Sequence, residues 1–115
     1  MLRIKNKKRF GLKRDQRRAM MASICRALVL NEKIKTTEAK AKEVRPLIEK
    51  MVTRAKKEGI HNRRILASRT SDEVAEKLVK EIAPRYKDRS GGYTRIIKTS
   101  PRFEDSARMA IIEFI

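Results

Sequence analysis

Residues 36–59 read Thr36-Thr37-Glu38-Ala39-Lys40-Ala41-Lys42-Glu43-Val44-Arg45-Pro46-Leu47-Ile48-Glu49-Lys50-Met51-Val52-Thr53-Arg54-Ala55-Lys56-Lys57-Glu58-Gly59. Val44, Leu47, Ile48, Met51, Val52 and Ala55 recur at steps of three, one, three, one and three. An α-helix brings such positions onto one face. Lys40, Lys42, Glu43, Arg45, Lys50 and Arg54 fall on the other. Thr36 or Thr37 suits the N-cap, and Glu38 in the first turn favours the helix dipole. Pro46 lacks a backbone donor, which predicts a bend. Gly59 is expected to end the helix.

Toward the N-terminus, Lys33-Ile34-Lys35-Thr36 alternates polar and apolar, as a short strand does. Before it, Ala19, Met20, Ile24, Ala27 and Leu28 make one apolar helical face, with Asp15 as the expected cap. Arg17 and Arg18 sit in the first turn, and Arg26 lies further along. Cys25 adjoins the face and reads as a small buried hydrophobe.

Toward the C-terminus, His61–Arg69 is a short helix anchored by Ile65 and Leu66. Thr70-Ser71-Asp72-Glu73 has capping-box spacing. Val74, Ala75, Leu78, Val79 and Ile82 form another apolar stripe, which Pro84 is expected to stop. Arg89-Ser90-Gly91-Gly92 is a turn signal. Tyr93–Thr99 and Met109–Ile115 are β-prone, and the polar stretch between them suggests an antiparallel hairpin. The order is therefore arm, helix, short strand, three helices, two strands. The economical fold is α+β, a small sheet covered on one face by helices.

The chain has 115 residues, enough for one domain at 15–115 with a basic extension at 1–14. Lys and Arg number 31 against 14 Asp and Glu, a net charge of +17. A folded domain this basic repels itself, and nucleic acid is the polyanion that best relieves the repulsion. Membrane binding would favour interfacial Trp or Phe, but there is no Trp and there are only three Phe. The 40% hydrophobic content comes in periodic clusters, which suffices for a small core. A single Cys allows no internal disulfide and suits a reducing cytosol. No apolar run approaches a membrane span, and the basic N-terminus lacks the apolar core of a secretory signal. The expected location is the cytosol of a bacterium, or an organelle after processing.

No catalytic set is apparent. His61 is the only histidine and stands beside Arg63 and Arg64, which suits neither a metal site nor a proton relay. There is no P-loop and no Gly-x-Gly-x-x-Gly. No cofactor, metal or small-molecule substrate is expected.

The cations are instead distributed. Residues 1–14 hold Arg3, Lys5, Lys7, Lys8, Arg9, Lys13 and Arg14 with no acid, an arm expected to order against phosphates. Arg17, Arg18, Lys35, Lys40, Lys42, Arg63 and Arg64 extend the charge over the strand and the helices. Arg85, Lys87, Arg89 and Arg95 flank the Gly-Gly turn. A transcription factor concentrates readout on one element, whereas a domain wrapped by folded RNA needs cations on many sides. A DNA-binding or nucleoid protein is the alternative. In Gly91-Gly92-Tyr93-Thr94-Arg95, the glycines allow close approach to a phosphate, Tyr93 offers a ring to a base, and Arg95 a pair to a phosphate or base edge. A tight turn, a core tyrosine and a solvated arginine explain the same residues equally well.

Ile34-Lys35-Thr36-Thr37, followed by Lys40-Ala41-Lys42-Glu43-Val44-Arg45, resembles the signature of bacterial large-subunit ribosomal protein seventeen. Arg63-Arg64, Arg89-Ser90-Gly91-Gly92-Tyr93-Thr94-Arg95-Ile96, the closing Ala107–Ile115 and Arg18-Ala19-Met20 fit the same family in the same order. Glu104-Asp105 stands where the family usually has Gly-Asp. The resemblance implies four helices packed on a small three-stranded mixed sheet. It implies binding to large-subunit ribosomal RNA near the peptide exit tunnel, beside neighbours that include protein thirty-two. It implies no catalytic role.

Overall fold

The buried stripe of the long helix organises the molecule. A computed structural model describes Gly11, residues 13–57 and residues 59–115. Arg3, Lys5, Lys7, Lys8 and Arg9 of the expected arm lie outside the described residues. The elements are α1 (Arg14–Asn31), β1 (Lys33–Thr37), α2 (Glu38–Lys56), α3 (Ile60–Arg69), α4 (Asp72–Lys77), β2 (Thr94–Lys98) and β3 (Met109–Phe114). A π-helical turn (Leu78–Ile82) and one last turn (Ala83–Arg85) continue α4.

Ala41, Val44, Ile48, Met51, Val52 and Ala55 are the buried face of α2. Leu47, expected on that face, is 38% exposed, and Ala41 extends the stripe instead. The Thr37 hydroxyl accepts the Lys40 N–H and caps the helix. The helix runs through Pro46 as one element and ends at Lys56. Gly59 does not end α2. It precedes α3 as its N-cap, with φ of 121°, a value open to glycine and strained for other residues.

The other helices keep their expected places with shifted details. In α1 the buried residues are Cys25, Leu28 and Val29, with Met21, Ile24 and Leu30 packed against the core. Ala19 is exposed. Asp15 lies in the first turn; the N-cap is Lys13, whose N–H donates to the Gln16 carboxamide. Ser71, one residue later than the expected box, caps α4 by accepting the Val74 N–H. Pro84 does not stop the helix, which reaches Arg85. The π turn lies just before Pro84, and the Ala83 N–H reaches back to the Leu78 carbonyl. A widened turn eases the clash of a proline ring with the preceding carbonyls.

The sheet order is β1-β3-β2, and both pairings are antiparallel. The mixed sheet implied by the resemblance is thus corrected to a wholly antiparallel one. The reason is which strand takes the centre. β3 alternates partly buried and buried residues, with Ala110, Ile112 and Phe114 inward. β1 and β2 carry Lys33, Lys35, Arg95 and Lys98, which edge positions tolerate. With β3 between them, β1 and β2 run parallel to each other but never pair.

Ile34, Ile112 and Ile96 align across the strands and join the core with α2. Tyr86, Tyr93 and Phe114 form an aromatic corner, with centroids 5.2 Å apart for the tyrosines and 6.4 Å for Tyr86 and Phe114. The Tyr86 hydroxyl donates to the Ile115 carbonyl at 2.6 Å and fastens the end of β3. Burial pushes the Cys25 thiol up to about 12, which makes it unreactive in the folded chain.

Ile48 is fully buried in the middle of the α2 stripe. Ile48→Ala is expected to lower the unfolding free energy by about 2–5 kcal/mol. Urea unfolding measures this, and earlier alkylation of Cys25 in urea is an independent readout.

Candidate nucleic-acid interface

The first three helices and the two edge strands carry cations on the side they do not bury. On α1, Arg14 and Arg18 are exposed and Arg17 is half-buried. On the sheet, alternation sends Lys33 and Lys35 to the face opposite Ile34, together with Arg95, Ile97 and Ile111. On α3 only Leu66 is buried, so Arg63, Arg64 and Arg69 are exposed on a helix with no acidic residue. Among the described residues, the side chains of Arg14, Arg17, Arg18, Lys35, Lys40, Arg63, Arg64 and Arg89 have no carboxylate within ion-pair distance. Two expected site residues do have one. Lys42 pairs with Glu38 at 2.9 Å, and Arg95 with Glu113 at 2.9 Å. Both keep more than half of the side chain exposed.

The Gly-Gly turn is fastened to α2 by a row of polar side chains one helical turn apart. The Arg45 guanidinium donates to the Thr94 carbonyl at 3.3 Å. The Glu49 carboxylate accepts the Thr94 N–H at 3.3 Å and its hydroxyl at 3.0 Å. Thr53 donates to the Tyr93 hydroxyl at 3.4 Å. Lys56 donates to the Arg89 carbonyl and, at 3.2 Å, to the Tyr93 hydroxyl. Gly92 has a φ of 65°, and open space surrounds the position of a Cβ at Gly91 and Gly92.

This geometry decides between the two readings of Tyr93. The residue is 1% exposed, and its ring packs against Tyr86 with Lys56 over one face. The Thr53 hydroxyl, and then the Lys56 ammonium, hold its phenol below the usual value. Its ring belongs to the core and is not presented to a base. Arg89, Gly91, Gly92 and Arg95 remain at the surface around it. Lys33, Lys57, Arg69 and Arg108 were not singled out in the sequence, and all are exposed. Only Lys33 had a signal: two residues from Lys35 on a strand, it shares that face.

The loop between β2 and β3 holds itself. Arg102 makes two hydrogen bonds to the Asp105 carboxylate, at 3.0 and 2.9 Å. Asp105 also accepts the Ala107 N–H at 3.1 Å. These bonds lower the Asp105 carboxyl to about 2, with Arg102 the largest cause. Phe103 at the tip is fully exposed.

The model of the family described as ribosomal protein L17 matches residues 20–115. The chain belongs to the ribosomal protein L17 family. It is similar to the large ribosomal subunit protein bL17 of Shouchella clausii, with 46% identity over 93% of this chain and 97% of that protein. It is 52% identical to bL17 of Rhodopseudomonas palustris strain TIE-1, over 88% of this chain and 73% of that protein. It is 45% identical to bL17 of Methylocella silvestris, over 94% and 77%. The L17 family is one of ribosomal structural proteins and not an enzyme class. Its place is the large subunit of the bacterial ribosome. Among the described residues, no cluster of His, Cys, Asp or Glu is placed to hold a metal, and no helix is long and apolar enough to cross a membrane.

The loop yields a test. The Asp105 carboxyl titrates at about 2 when folded, below its ordinary 3.8. Its pairing is therefore fully present above the ordinary value and is lost as pH falls toward about 2. In an NMR titration, Arg102→Ala is expected to move the Asp105 midpoint up toward its ordinary value. An unmoved midpoint would remove Arg102 as the cause.

Proposed function

We propose that this L17-family chain is a structural constituent of the large ribosomal subunit that binds large-subunit ribosomal RNA through dispersed lysines and arginines. The observation that carries the reading is the spread, among the described residues, of exposed or half-buried cations with no carboxylate at ion-pair distance over α1, the outer sheet face, α2 and α3. Residues 15–115 act as one RNA-binding unit, and the basic segment 1–14 extends its reach. Arg17, Arg18, Lys35, Lys40, Arg63, Arg64 and Arg89 take phosphates. Lys42 and Arg95 add charge from within ion pairs, and Gly91-Gly92 lets a phosphate approach the backbone. Neighbouring large-subunit proteins, protein thirty-two among them, pack beside the chain. The protein acts in the cytoplasmic ribosome by holding RNA segments, with no chemical step.

Binding of this kind runs on counterion release. Cations that displace ions from about six to ten phosphates make affinity fall by several decades between about 50 and 200 mM salt. RNA that binds only the folded chain also raises its melting temperature.

Binding to large-subunit ribosomal RNA, measured over a salt series, tests the reading. Log affinity is expected to fall steeply and linearly with log salt. Arg63→Ala with Arg64→Ala is expected to flatten the slope by about one unit per lost contact. Duplex DNA bound as tightly and with the same slope would favour a nucleoid role instead.

A further inference from the structure

An open cleft of about 640 Å³ lies between the α2–α3 junction and the last turns after α4. Its floor is apolar, the buried Ala55 and Ala83 with the half-buried Val79, and the exposed Ile60 and Pro84 add to the apolar lining. Val79 reaches it from the π turn, a widened backbone often found at functional sites. Lys57, Arg63 and Lys87 stand at its rim, all exposed and with no described carboxylate within ion-pair distance. Lys56 also lines the cleft but directs its ammonium to Arg89 and Tyr93. No described acidic residue lines it. Ile60, at the mouth, is 66% exposed.

We infer that this cleft receives one unstacked nucleotide of the bound RNA. The inference rests on the RNA-binding reading and deepens it. A duplex would reach the rim cations through its phosphates but leave the floor bare, because its bases are stacked inside. An extruded nucleotide satisfies both halves: its base lays an apolar face on Ile60 and Pro84, and its flanking phosphates meet Lys57, Arg63 and Lys87. The volume is in the range of small-ligand pockets and exceeds what a lone phosphate needs. An apolar protein segment would fill the floor, but it would need acidic flanks to match this rim.

The test uses the full chain and short RNAs, with backbone amide NMR shifts of 55–57, 79–83 and 85–87 as the readout. One RNA is single-stranded with a central adenosine. The second lacks that base, and the third is a duplex of equal phosphate count. The adenosine RNA is expected to shift these amides and to bind about tenfold more tightly than the abasic one. Ile60→Ala and Lys87→Ala are expected to shrink that base-dependent gain. Both residues are exposed, so an unchanged melt confirms that the variants still fold. Equal affinity and equal shifts for the abasic RNA would overturn the inference. So would an acidic, leucine-containing peptide that shifts these amides more strongly than RNA. Large-subunit ribosomal RNA binding is measured alongside. If the chain binds that RNA without base dependence, only the cleft inference fails. If it binds no ribosomal RNA, the parent reading fails and takes this one with it.

Discussion

The burial of one stripe of α2 is the constraint on which the rest depends. That helix touches α1, α3, all three strands and the turns that follow α4. Ala41, Val44, Ile48 and Val52 are wholly inaccessible, and they share one core with Ile112 of the central strand and Leu78 of the π turn. Beside this stripe runs the polar row Arg45, Glu49, Thr53 and Lys56, which pins Thr94, Tyr93 and Arg89. The apolar row holds the fold, and the polar row fixes the Gly-Gly turn that leads into β2. A change on α2 therefore reaches the surface turn through hydrogen bonds as well as through packing.

The same arrangement sorts the charges. Glu32, Glu38, Glu49, Glu76, Asp105 and Glu113 are committed to pairs inside the chain. The cations of these pairs are mostly exposed, so the pairs add little stability, but they neutralise part of the basic excess. Glu32 meets both Arg85 and Lys77, and their bonds, that of Arg85 first, hold its carboxyl below the usual range. One carboxylate thus eases the approach of two cations from the helix that follows α3. Among the described residues, the cations with no carboxylate at ion-pair distance face outward from several elements. An RNA fold is a partner with phosphates in as many directions.

Much of this was legible in the sequence. The 3.6-residue period located α2 and α4, the alternation in Lys33-Ile34-Lys35 located β1, and the final β-prone runs paired as the hairpin expected. Strand order was harder, because it depends on which strand can bury both edges, a comparison between segments far apart in the chain. Caps slipped by one or two residues, since Ser71 and Thr70 offer the same chemistry. Pro84 misled because a π turn can absorb a proline that an α-helix cannot. Tyr93 was undecidable locally: its burial is set by Thr53, Lys56 and Tyr86, none of them its sequence neighbours. Surface cations are the least legible, because whether a carboxylate lies close is a tertiary fact.

RNA contact spread over the whole surface is the central claim. Lysine acetylation, mapped by mass spectrometry on the free chain and on assembled large subunits, tests it most directly. Lys33 and Lys35 on the sheet, Lys40 on α2, and Lys57 and Lys87 at the cleft are all predicted to lose reactivity on assembly. Protection confined to one element, with the others as reactive as in the free chain, would contradict it.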